Sequence, residues 1–163
     1  MNRRRNGWTA LIWLFPVVVG LGLIYRRLLA GRMLATGDLQ TYFHPYWTEV
    51  ARAVQEGRLP LWNAYLFAGA PLLANSQAGV FYPLNWPLWI FFEGTPIGAA
   101  KALHTSILLH LGLAAGSAFI VARRWGLRPP SAAVGALFYA GSGFLGLHVE
   151  HLNQLQGLAW LPL

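Results

Sequence analysis

"IGAAKALHTSILLHLGLAAGSAFIVA", residues 97–122, carries a single formal charge, Lys101, across its whole length. A hydrocarbon core is crossed by about 20 predominantly apolar residues of helix, so this stretch predicts a transmembrane helix. Lys101, His104 and His110 fall in its first half, where polar groups have to face protein or the headgroup region. His104 and His110 are six apart, lie on different faces and read as helix-packing groups.

Two further stretches have the same character. Residues 8–25, "WTALIWLFPVVVGLGLIY", are uncharged and predict a first span, with Pro16 kinking it. "RRR" precedes this run as it would a signal peptide, but the apolar part is long and no A-x-A-like site ends it, so an uncleaved helix is expected. Residues 131–147 predict a third span, in which Gly135, Gly141, Gly143 and Gly146 would let a neighbouring helix approach closely. "PLNWPLWIFF", residues 83–92, is too short and too rich in proline and tryptophan to cross, and reads as interfacial or re-entrant.

Composition supports the bilayer reading. Hydrophobic residues make up 56% and charged residues 10%, with mean hydropathy +0.44, whereas a soluble domain is roughly one-quarter charged. The net charge of +7 could suggest nucleic acid, but the basic residues sit in short clusters beside apolar runs, as they do in membrane proteins, and no nucleic-acid partner is expected. With no cysteine, a disulfide framework and a thiolate metal site are excluded.

The hinge "ARRWGLRPP", with Arg123, Arg124 and Arg128 and no acid, sets the orientation: residues 123–130 should be cytoplasmic. Three spans then leave the N-terminus cytoplasmic too, in agreement with Arg3, Arg4 and Arg5. Arg26, Arg27 and Arg32 point the other way, but they open a long loop, to which the charge rule applies weakly. That loop, residues 26–96, faces outward in this reading. Its wealth of Trp, Tyr, Phe and Leu is not the composition of disorder, so it should fold onto the membrane face. Within it, Pro45 to Glu56 reads as an interfacial helix with an apolar stripe of Tyr46, Trp47, Val50 and Val54, and Gly57 as its stop. Glu49, Arg52 and Glu56 are spaced as a solvated ion-pair face, with Arg52 and Gln55 turned to water.

Asp38, the only aspartate, stands between the first span and this helix in "ATGDLQTYFHPYW". It suits a helix cap. It equally suits a general base that takes a proton from an acceptor hydroxyl at an outward cleft, and position alone leaves both readings open. His44 could orient that carboxylate or begin the helix. Among candidate binding groups, Arg58 is a fork of donors for phosphate or a solvated arginine, and Asn63, Asn75 and Gln77 are hydrogen-bonding groups or turn residues. Trp62, Tyr65 and Phe81 offer faces for stacking on a ligand or anchor the loop. In residues 148–154, His148 and His151 are three apart and share a helix face, with Glu150 nearby. The spacing is neither HExxH nor HxxEH, which excludes a zinc protease. An interfacial cap or a donor-phosphate or divalent-cation site remains, with any metal unassigned.

The stretches "GDLQTYFHPYW", "GRLPLWNAYLFAGAPLLANSQAGVFYPLNW" and "GSGFLGLHVEHLNQLQGLAWLPL" resemble the YfhO-like bacterial membrane proteins, a family related to the C-type (GT-C) membrane glycosyltransferases. The resemblance implies an all-α polytopic membrane fold, of which this chain would be an N-terminal fragment with about three spans and a long structured outer loop, followed by the start of another apolar segment at residues 155–163. It also implies a catalytic aspartate in the first outer loop, at the place of Asp38. The activity implied is transfer of a sugar from a polyprenyl-phosphate donor to a glycan or polymer acceptor outside the cytoplasmic membrane. The alternative is a non-catalytic membrane protein, a lipid-linked-sugar carrier or an assembly scaffold.

Overall fold

A computed structural model describes residues 10–32 and 37–163. Helix accounts for 70% of it and strand for 3%, so the all-α class holds and the strands amount to one small hairpin. The helices are α1 (Leu14–Ile24), α2 (Arg26–Leu29), α3 (His44–Gln55), α4 (Trp86–Phe91), α5 (Pro96–Arg124), α6 (Pro129–Ala140), α7 (Gly143–Leu147) and α8 (Leu152–Trp160). Among the described residues, two stretches are long and apolar enough to cross a membrane, Pro96–Arg124 and Pro129–Glu150. At 1.5 Å per residue the 29 residues of α5 reach about 43 Å, longer than a hydrocarbon core, so its polar first turns need not enter one. The expected first span is shorter than the sequence suggests: α1 has 11 residues, and Trp8 and Thr9 lie outside the described residues.

Pro16 accounts for that shortening. It has no N–H to offer the Ile12 carbonyl, and that carbonyl accepts instead from Phe15 N (3.1 Å), just as Ala10 O accepts from Trp13 N (3.2 Å). These tight turns break the helix before α1 begins. The third stretch is also interrupted. Gly141 ends α6, and Ser142, in extended conformation, restarts the chain as α7 with its Oγ accepting from Leu145 N at 3.3 Å. Glycine and serine are poor helix-interior residues for the backbone reasons exploited here.

The chain divides into two compact units. The first takes residues 1–32, 109–149 and 154–163. In it α1 packs on α6 through Gly20 and Gly141: a Cβ built on Gly20 would stand 2.8 Å from Leu137 Cδ1, and one on Gly141 2.7 Å from Ile24 Cδ1. Tyr25 donates its hydroxyl hydrogen to Ala140 O at 3.0 Å. Of the four glycines expected to admit a neighbour, only Gly141 is pressed so closely. Gly135 and Gly143 have open space over their Cα atoms, and Gly146 has only the Tyr25 hydroxyl at 3.8 Å.

The end of α8 belongs to this unit and shows how an apolar interior satisfies a helix terminus. Pro162 cannot donate to Leu158 O, so Tyr139 Oη does, at 2.7 Å. Leu163 N goes to Trp160 O, and Ser117 Oγ donates to Ala159 O at 2.8 Å. Ser117 is buried. Replacing it by alanine strands a buried carbonyl and should cost about 1–3 kcal/mol, read as a lower melting temperature in detergent; no change would show that the carbonyl finds another donor.

The second unit comprises residues 33–108 and 150–153. Its core is α3 against α4, where Trp47 and Trp89 meet edge to face (centroids 5.2 Å apart) and Trp86 adds a second edge contact at 6.0 Å. The helix expected from Pro45 is found, but it is enveloped instead of lying with one stripe down: Tyr46, Trp47, Thr48, Glu49, Val50, Ala51 and Ala53 are all buried, while Val54 is half-buried. The solvated ion-pair face is therefore corrected. Glu49 is buried and binds Arg52 Nη1 at 2.9 Å, Glu56 pairs with Arg58, and Arg52 lies 5.8 Å above the Tyr65 ring. Gln55 has an outer edge in solvent, yet its amide donates to Trp89 O and Phe92 O while its oxygen accepts from Gly94 N (2.9 Å), clamping the end of α4. Residues 83–92 form a 3-10 turn and the six-residue α4.

Candidate functional site

Asp38 does not cap a helix. Its backbone is already helical (φ −65°, ψ −23°), and among the described residues its side chain accepts no capping hydrogen bond. The helix start is supplied one residue earlier by the Gly37 carbonyl, which accepts from Gln40 N (3.2 Å), Thr41 N (3.2 Å) and Thr41 Oγ1 (3.0 Å). A π-helical turn, Leu39–Phe43, then leads straight into α3 and buries Leu39 and Phe43. The Asp38 side chain is left 61% exposed, with Oδ2 3.5 Å from Nδ1 of His151. That separation exceeds an ordinary hydrogen bond and makes a loose ion pair when the imidazole is protonated.

Glu150 completes the group. Gly37 has φ +60°, a left-handed conformation that favours glycine, and a Cβ there would collide with the Glu150 carboxylate. The missing side chain thus leaves room for the Glu150 carboxylate against the turn that carries Asp38. Among the described residues no three His, Asp or Glu side chains are placed to hold a metal ion, so no step is assigned to a divalent cation.

Beside this cluster, Tyr42 stacks on Tyr46 (centroids 4.4 Å apart), and Asn75 Nδ2 donates to the Tyr42 hydroxyl at 2.6 Å. Burial raises the Tyr46 phenol above its ordinary range, and the neighbouring Tyr42 adds to the effect, so the Tyr46 phenol stays neutral at working pH. Asn75 also caps the turn Ser76–Ala78 by accepting from Gln77 N at 3.0 Å, which ties it to local backbone as well as to Tyr42. His44 Nε2 lies 2.8 Å from Pro96 O, a structural link between α3 and the start of α5.

No family model, curated protein or solved structure matches the chain. The assignment of roles therefore rests on where each residue lies.

Asp38, Glu150 and His151 come together; Asn75 stands in the same unit with its amide engaged. Arg58 is taken up by Glu56, through Nε at 2.7 Å and Nη2 at 2.5 Å, with Glu49 3.9 Å away. Its side chain remains half exposed. Asn63 is buried and accepts from Tyr65 N at 2.9 Å, holding the hairpin of Trp62–Asn63 with Ala70–Pro71. Gln77 is exposed. The two histidines expected to share a face have separate partners: His148 Nδ1 lies 2.7 Å from Phe144 O, its ring against that of Phe144, while His151 meets Asp38. Trp62, Tyr65 and Phe81 are exposed. Sequence reading missed Tyr42 and Gly37; the glycine beside the only aspartate was the available signal.

Proposed function

We propose that the protein works in the cytoplasmic membrane as a GT-C-like glycosyltransferase, taking a sugar from a polyprenyl-phosphate donor to a glycan or polymer acceptor on the outer side. The observation carrying this reading is that Asp38 is spared from capping and stands exposed beside His151. A carboxylate that holds no backbone together is free to take a proton. In the reaction the acceptor hydroxyl attacks the anomeric carbon, its proton passes to Asp38, and the bond from that carbon to the phosphate oxygen breaks. Polyprenyl phosphate leaves with the electron pair, and a single displacement inverts the sugar. His151, beside the carboxylate, orients it. The two apolar stretches Pro96–Arg124 and Pro129–Glu150 support a membrane location by their length and composition.

The test is reconstitution of the full-length protein in proteoliposomes with radiolabelled polyprenyl-phosphate-linked hexoses. Label joined covalently to acceptor, with polyprenyl phosphate released, is the expected result. Donor bound or moved across the bilayer without product would overturn the transferase and favour a carrier.

A further inference from the structure

The first unit contains a groove that the transfer chemistry does not use. Its volume is about 380 Å³, and its lining includes Ala118, Val121 and Ala122 of α5, Gly135 and Tyr139 of α6, and Leu161 beyond α8. That volume falls in the range of roughly 300–1,000 Å³ typical of small-molecule sites. Its origin is plain in the sequence. Helix α8 ends at Trp160, held by Ser117 and Tyr139, and the alanines and Gly135 give the groove shallow walls.

Two of the groove's residues, Trp125 and Leu127, belong to a turn that also carries Arg123, Arg124 and Arg128. Gly126 (φ +87°) ends α5, with Gly126 N bonding Arg123 O and Leu127 N bonding Ala122 O, so the chain turns sharply at "RRWGLRPP". Arg123 closes the turn by donating to Leu127 O. Trp125, which lines the groove, is 81% exposed, and Arg124 and Arg128 flank it in solvent. None of the chain's five acidic residues falls in this unit.

We infer that the groove binds one acyl chain of an anionic phospholipid, whose headgroup phosphate is held by Arg124 and Arg128. Apolar walls under a basic, tryptophan-bearing rim fit a lipid that is greasy at one end and negative at the other. A neutral lipid satisfies the walls alone, and a free phosphate the rim alone. The inference rests on the membrane placement proposed above and is independent of glycosyl transfer.

Full-length protein in neutral detergent is titrated with phosphatidylglycerol, with phosphatidylcholine of the same chains, and with glycerol phosphate, following bound lipid by native mass spectrometry. Phosphatidylglycerol should bind about thirtyfold more tightly than phosphatidylcholine, the preference expected of two arginines near an anionic lipid, and glycerol phosphate should not bind. Arg124→Gln with Arg128→Gln should erase that preference. Gly135→Leu should displace both lipids without harming the fold, because a Cβ at Gly135 meets nothing within 4 Å. Equal binding of the two lipids, binding of glycerol phosphate, a preference that survives the double substitution, or lipid retained by Gly135→Leu would each overturn the site. Transfer activity should be unchanged in these variants, so failure of the lipid site and failure of the transferase reading give different results.

Discussion

Asp38→Asn should reduce glycosyl transfer at least about 10²-fold, the loss typical of removing a general base, with membrane accumulation unchanged. An amide cannot take the proton of the acceptor hydroxyl at working pH. Asp38→Ala should behave the same way in both measurements. Had Asp38 been a cap, alanine would have lowered stability by about 1 kcal/mol while asparagine did not. The cap role is instead filled by the Gly37 carbonyl, which either substitution leaves in place. Transfer rates and protein levels of the two variants, measured side by side, check both halves. Near-normal transfer by Asp38→Asn would move the base to Glu150 or outside the described cluster.

The largest stability effect is expected at Trp47. Its side chain is fully buried and packs edge to face on Trp89, so Trp47→Ala should cost about 3–5 kcal/mol and lower the melting temperature by the order of 10 °C. Trp47→Phe should cost clearly less. It keeps an aromatic edge on Trp89 and removes an indole N–H that, among the described residues, meets no acceptor although it is buried. Thermal unfolding in detergent, followed for both variants, reads the difference. Equal losses would show that the indole N–H is satisfied and that its bond is what holds α3 to α4.

The helices that can be read from sequence are those whose signal is local. Residues 97–122 announce α5 by a long apolar run with a single charge, and α3 appears within a residue of its expected start because Pro45 opens it and Gly57, with φ +68°, closes it. What was hidden depends on contacts across the chain. Glu49 reads as solvated from its spacing to Arg52 and Glu56, yet α4 and its neighbours bury it. Gln55 reads as a water-facing residue, yet it finds three backbone partners around α4. The break at Gly141 and Ser142 is a competition between a side-chain oxygen and the helix ladder that hydropathy does not register. For the site, Asp38 stands out by its rarity, but its partner His151 lies at the far end of the sequence, and only folding reveals which of the two nearby histidines turns toward it.

The claim on which the rest depends is that the Asp38 carboxylate stands open on the outer side of the membrane. The chain has no cysteine, so single substitutions can be labelled cleanly with a membrane-impermeant maleimide on intact cells. Asp38→Cys and Phe67→Cys, the latter at an exposed site in the same unit, should label without permeabilisation, and Trp125→Cys only after it. Labelling of Asp38→Cys only after permeabilisation would put the carboxylate on the cytoplasmic side and contradict the account.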